Sequence, residues 1–324
     1  MATAATLDAV VRAAGPQLGP MMERVEARLA ALASGHGPVL ARHGGATIAA
    51  GGKRLRPLLV FLAAGEEAAT AADRLVRAAA AVELIHSASL VHDDVLDRAP
   101  LRRGQPTVVA VAGRTVATAT GDLLFSRAFA EVAGGGEIAD VRALSAASSA
   151  LAAGELMQRA DAWDVGVPLE RYVERCELKT GSLFEAACRL GALAVGGPAD
   201  ELAAFGRRIG LAFQLLDDVL DVSGPASRTG KARGTDLLDG TVTLPLIVAR
   251  ERDPQLAAVD LQALDGEAAA EAICDRIAAT GALVEAKRRA LDVVAEAKAL
   301  LPRLSPRQRA TLELVADGVV ERYA

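Results

Sequence analysis

Two segments of this chain, LVHDDVLD at 90–97 and FQLLDDVLD at 213–221, each set three carboxylates into an otherwise apolar run, and any fold must accommodate both. Asp93 and Asp97 are four residues apart, as are Asp217 and Asp221. On a helix each pair stacks on one face, with about 5–6 Å between Cβ atoms. In solvent such like-charged neighbours cost only a few tenths of a kcal/mol, about 0.2–0.5. Against Leu, Val and Phe the repulsion grows and demands counter-charge. Hard oxygen ligands on a concave wall suit Mg²⁺, which keeps several waters and is shared with substrate phosphates. The duplicated pattern therefore reads as two jaws that hold a diphosphate through metal ions. Two acidic helix faces in plain solvent would leave the apolar flanks, and the basic residues that follow each motif, without a reason.

Helical periodicity runs from end to end. Helices are expected near 7–34, 57–67, 71–97, 107–131, 137–160, 169–192, 200–222, 243–251, 267–279, 281–301 and 305–321, and VVAVAG at 108–113 is the one ambiguous run. Abundant Ala with only 3% aromatic residues favours helix over sheet. Nothing among the 324 residues resembles a linker, since AVGGPAD at 194–200 and LPRLSPRQ at 301–308 are short connections, so a single domain over 1–324 is expected. A net charge of −5 with interspersed signs argues against nucleic acid as a partner. Cys176, Cys188 and Cys274 read as small buried hydrophobes in a reducing compartment. The first residues lack a basic leader, and no uncharged run approaches the ~18 residues of a membrane span. A cytoplasmic protein without an integral membrane segment is expected.

A diphosphate also needs direct donors. GGKRLRP at 51–57 offers Lys53 and Arg56 at a helix start, where backbone N–H groups favour anions. His86 lies one to two turns before the first acidic motif, and Arg102 and Arg103 follow it as adjacent, diverging side chains. Lys179, Thr180, Gln214 and Lys231 complete a basic and polar rim. Each alone is more often structural; their order beside two acidic motifs is what makes a site.

That order resembles the trans-prenyltransferase, or polyprenyl diphosphate synthase, family. GGKRLRP, ELIHSASLVHDDVLD, LRRGQPT, GDLLFSRAF, GELMQ, KTGSLFEAAC, GLAFQLLDDVLD, GKARGTD and TLPL look like its blocks over roughly residues 40–250. The resemblance implies an all-α isoprenoid-synthase fold, a homodimeric single-domain bundle around a deep central cavity. It implies isopentenyl diphosphate donors at Lys53, Arg56, His86 and Arg103, and allylic-diphosphate donors at Arg102, Lys179, Thr180, Gln214 and Lys231. It implies about three Mg²⁺ per active site, held by Asp93, Asp97 and Asp217, with Asp94, Asp218 and Asp221 acting through water or as support. One departure stands out: the family's Gly-Lys-x-Thr-Leu-Pro is here Gly240-Thr241-Val242-Thr243-Leu244-Pro245, which removes one positive charge from the allylic site.

The chemistry this implies is Mg-dependent head-to-tail elongation of an allylic diphosphate by isopentenyl diphosphate. A class I terpene cyclase would want aromatic cavity walls, and a regulatory subunit of a heteromeric synthase would be expected to have lost carboxylates, whereas all six remain. Product length should be counted along the helix that carries Asp93, because a trans isoprene unit of roughly 5 Å matches the 5.4 Å helical pitch. One turn back stand Ala88 and Ser89, and two turns back Leu84 and Ile85. With no aromatic floor in the first turn, a C30–C50 product is expected; Phe125 or Phe129 on a facing helix could close the cavity early and give C20.

Overall fold

The computed structural model describes residues 9–102, 104–224 and 233–321. Its chain order is α1 (Leu18–Ser34), α2 (Pro38–Ala49), α3 (Leu55–Ala64), α4 (Ala72–Leu96), α5 (Val108–Ala133), α6 (Ile138–Ala160), α7 (Leu169–Cys176), α8 (Ser182–Ala194) and α9 (Ala199–Ser223). After these come α10 (Thr235–Leu238), α11 (Leu244–Arg250), α12 (Pro254–Ala257), α13 (Glu267–Ala279), α14 (Ala282–Ala299) and α15 (Pro306–Glu321). A two-residue antiparallel ribbon, β1 (Leu101–Arg102) with β2 (Gln105–Pro106), follows α4.

The expected helices are present, beside an unexpected ribbon and the short α10 and α12, and four further differences each have a local cause. The helix expected over 7–34 breaks around Gly15 (φ 102°) and Pro16, so α1 begins at Leu18. The unexpected α2 starts on Pro38, whose fixed φ suits a first helical position, and tolerates the Gly44-Gly45 pair that hid it from propensity. The ambiguous 108–113 run is helical but kinks at Gly113 (φ 78°, ψ 169°). The stretch expected as one helix over 169–192 contains a π turn, Glu177–Gly181, which carries Lys179 and Thr180. π turns of this kind occur frequently at functional sites.

Helices α4 and α5 pack along one another, α9 packs on α8 and α14, and α3 packs on α8. Tyr172, Phe184 and Phe205 are the largest fully buried side chains. All three cysteines are buried and unpaired. Burial pushes the Cys188 and Cys274 thiols up to about 12, which suits an inert packing role. Helix α5 runs antiparallel to α4, since Gly121 abuts His92 while the Gly134 carbonyl accepts from Arg77. It is long and apolar enough to cross a membrane by length and composition, and only 28% of its most apolar window is buried.

Candidate active site

Two close helix crossings set the position of the π turn. A methyl group added at Gly154 of α6 would come within 2.6 Å of the Lys179 nitrogen, and one at Gly210 of α9 within 2.8 Å of the Gly181 Cα. The turn is thus held between α6 and α9, against the stretch of α9 that leads to Asp217.

A polar cavity of about 190 Å³ opens beside this turn and joins the two acidic segments. Asp97 from α4 and Asp218 from α9 line it together with Arg102, Lys179, Thr180, Gln214 and Thr241. Each group in it is held by a neighbour. The Lys179 ammonium pairs with Glu155 and donates to Gln158 Oε1 at 3.2 Å. Arg159 donates to Glu155 at 2.8 Å and to Asp97 at 2.5 Å. Burial pushes Glu155 up, but Lys179 and Arg159 outweigh it and hold the carboxyl below its usual range. Arg102 Nε donates to the buried Asp94 at 2.7 Å, so that carboxylate anchors the arginine to α4.

The second motif is braced by a chain of hydrogen bonds. Thr180 donates to Gln214 Oε1 at 2.7 Å, Gln214 Nε2 donates to Asp218 Oδ1 at 2.7 Å, and the buried Tyr172 hydroxyl donates to Asp218 Oδ2 at 2.5 Å. Burial, reinforced by Asp236, pushes Asp218 up to about 8. Tyr172→Phe would leave Asp218 short of a donor in a buried place, at a cost of about 1–3 kcal/mol. The expected outcome is a thermal midpoint several degrees lower, read by calorimetry with secondary structure unchanged. Asp221 accepts from the Asp236 N–H at 3.3 Å and so holds the turn that begins α10.

Asp93 is half-buried one residue from His92, whose ring stacks on Phe125 with centroids 5.6 Å apart. Burial raises its carboxyl from 3.8 to about 6; Lys179 opposes the shift, while Glu155 and Asp97 add to it. A carboxyl that ionises higher when folded than when unfolded adds stability below pH ~3.8, and that stability is lost as pH rises through about 6. Metal-free Asp93→Asn should therefore melt higher than the parent at pH 7–8, by on the order of 2–4 °C for each kcal/mol relieved. The gain should vanish below pH 4, and melting curves across that range check the sign.

Asp217 is exposed on α9. His86 lies on α4 seven residues before Asp93, on the same face, and is half-buried. Lys53 is exposed ahead of α3, and Arg56 lies over the Phe184 ring at 4.6 Å. These three donors stand apart from the cavity lining, toward α3 and the tail-ward part of α4. Arg54, between them, adopts a left-handed backbone (φ 49°) and spends its guanidinium on Glu26, Glu83 and the Ile48 carbonyl. Arg103 and Lys231 lie outside the described residues. Leu84, Ile85, Ala88 and Ser89 are all buried along α4. Phe125, stacked on His92, belongs to the acidic end of α4, which leaves Phe129 as the aromatic nearer the tail.

Sequence reasoning assigned no role to Glu155, Gln158, Arg159, Tyr172 or Arg175. The GELMQ block held the first two in view, but nothing in local spacing distinguishes a bracing Tyr or Arg from a surface one. Among the described residues no three ligating side chains converge into a ready-made metal cage. The donor set still fits Mg²⁺, which takes one or two carboxylates and completes its shell from water and substrate phosphate. The desolvated Asp93 is a negative charge that such an ion would relieve.

Comparison with known proteins gives the family. The polyprenyl synthetase family matches residues 38–280. Heptaprenyl diphosphate synthase component 2 of Geobacillus stearothermophilus is 42% identical over 213 residues, 65% of this chain and 66% of that protein. Geranylgeranyl diphosphate synthase of Methanosarcina mazei is 37% identical over 287 residues, 84% of this chain and 86% of that one. A crystal structure of polyprenyl synthase from Caulobacter crescentus, complexed with calcium and isoprenyl diphosphate, superposes with a TM-score of 0.89 at 34% identity and covers 98% of both chains. The helical bundle with two acidic faces across one cavity is that of a trans-prenyltransferase, an enzyme of the alkyl-transfer class. The chain belongs to the polyprenyl synthetase family.

Proposed function

We propose that this protein condenses isopentenyl diphosphate with an allylic diphosphate, head to tail, to give an all-trans polyprenyl diphosphate of C30–C50. The observation that carries the reading is the meeting of Asp97 and Asp218, one from each acidic motif, in a cavity with Lys179, Thr180, Gln214 and Arg102. Mg²⁺ held by Asp93, Asp97 and Asp217, about three ions per site, would supply charge neutralisation to the departing diphosphate. Lys179 and Arg102 add donors to the same leaving group, and their carboxylate neighbours orient them in advance. Loss of the diphosphate leaves an allylic cation, which the isopentenyl double bond attacks to form the new C–C bond. A proton then leaves, taken by the released diphosphate, so no side-chain nucleophile is needed.

Small residues one turn from Asp93 support a long product, with C20 as the second reading because the named relatives include a geranylgeranyl synthase. Tyr172 is the one aromatic lining the cavity among the described residues, which disfavours cyclisation, where migrating cations want aromatic walls. We assign the exposed apolar face of α5, where Val111 is 60% exposed, to a second copy of the chain, since Arg114, Asp122 and Arg127 interrupt it for lipid. That assignment gives a homodimer, which we place in the cytoplasm. Incubating the purified protein alone with isopentenyl diphosphate, an allylic diphosphate and Mg²⁺ tests the reading. Elongated products are expected; cyclic hydrocarbon or no reaction would overturn it.

A further inference from the structure

Arg102, Arg159 and Lys179 all line the cavity, and each faces a carboxylate that balances it. Arg175, the fourth cation there, has a more distant carboxylate partner. It is four residues before Lys179 and only 3% exposed. Its NH2 donates to the Val242 carbonyl at 2.5 Å, which puts the guanidinium directly beneath the Thr241–Thr243 segment. Its NH1 is buried and makes no hydrogen bond. The nearest acid, Asp161, is 3.7 Å from NH1, and that same carboxylate already accepts from Arg171 at 2.6 Å. Arg171 takes Asp161 Oδ1, and the Oδ2 that faces Arg175 has no hydrogen-bond partner, so NH1 has an ion pair at 3.7 Å and no hydrogen bond, in a dry wall where an anion in the cavity would feel its charge strongly. That charge adjoins Thr241, the position where the chain carries a neutral residue in place of an expected lysine.

We propose that Arg175 supplies, through the charge of its guanidinium, the cationic stabilisation of the allylic diphosphate that position 241 does not. The charge comes from below the 240–243 segment rather than from a side chain on it. The inference rests on the proposed function. It differs from a merely structural role, in which Arg175 would only tie Val242 to α7.

The two are separated by a double-mutant cycle with Arg175→Gln and Thr241→Lys. Gln removes the charge and, two bonds shorter than Arg, the tie to the Val242 carbonyl as well, whereas Lys at 241 restores charge without restoring that tie, so rescue by Thr241→Lys reports on charge alone. Arg175→Gln is expected to raise KM for the allylic diphosphate about ten- to a hundredfold, with KM for isopentenyl diphosphate held within about threefold. Thr241→Lys should improve the allylic KM at least tenfold more in the Arg175→Gln background than in the parent, a coupling that additive, independent effects would not produce. Binding without turnover can be read in parallel from Trp163, the single tryptophan, whose backbone N–H donates to the Gly240 carbonyl at 2.8 Å. Titrating its fluorescence with the allylic diphosphate alone should give the same order of affinities. An unchanged allylic KM in Arg175→Gln, or equal gains from Thr241→Lys in both backgrounds, would overturn the assignment. If Arg175→Gln lost its cooperative melt, Arg175→Lys would carry the test, because it keeps the charge and loses the fork. An allylic KM within about threefold of the parent supports a charge contact, and a rise of tenfold or more overturns it. A parent enzyme that fails to elongate refutes the functional reading instead, and the two failures are distinct.

Discussion

Asp93→Ala and Asp217→Ala are expected to lower turnover by at least about 10²–10³-fold, the loss typical of removing one preorganised group that stabilises developing charge. Circular dichroism should remain that of the parent. For Asp93 the argument starts from desolvation, which raises its carboxyl to about 6 although Lys179 and Arg102 oppose it. A fold in which burial outweighs the nearby cations is poised for an ion. Asp217 differs in being exposed, so removing it costs the apoprotein little packing, and any loss of activity reports on chemistry. Raising Mg²⁺ should restore part of the rate in either variant by mass action. A well-folded Asp93→Ala enzyme with near-parental turnover would sink the two-jaw reading.

The second large effect concerns length. Ala88 is fully buried on α4, five residues before Asp93, and Leu84 and Ile85 lie one turn further back. Ala88→Tyr places an aromatic ring one turn from the reacting end and should cut the product from C30–C50 to about C15–C20, one isoprene unit of roughly 5 Å per helical turn. Reverse-phase chromatography of dephosphorylated products reads the result directly. A parent enzyme that stops at C15 or C20, or an Ala88→Tyr variant that still makes the long chain, would refute turn-counting along α4. Because Phe125 stacks on His92, shortening it should leave length unaltered. Phe129→Ala is the facing-helix change with room to lengthen the product.

What could be read in advance was whatever repeats locally. Helix α4 and helix α9 announced themselves through apolar runs, and their acids through i, i+4 spacing. Helix α2 was invisible because Gly44-Gly45 defeats propensity, and packing against α1 and α5 pays for it. The π turn at 177–181 was invisible for a different reason: it depends on tight crossings at Gly154 and Gly210, each more than twenty residues away in sequence. Lys179, Thr180 and Gln214 could be picked out by resemblance, but Lys179's partners Glu155 and Gln158 could not. Glu155, Arg159 and Tyr172 matter because of what lies across the cavity from them, and a neighbour across space leaves no mark on the residues beside it in the chain.

The crossings at Gly154 and Gly210 also divide the molecule into a part that cannot drift and a part that can. Even one methyl group at either glycine would collide with backbone, which cannot move aside as a flexible side chain can. The end that handles phosphate is therefore closed to gradual change: most steps away from it are lethal, so lineages should retain it or lose function outright. Along α4, Ala88, Leu84 and Ile85 can each trade volume in small, viable increments. Selection can then lengthen or shorten what the enzyme makes while the chemistry stays fixed, and a mutational scan should show a sharp boundary in tolerance between Asp93 and Ala88.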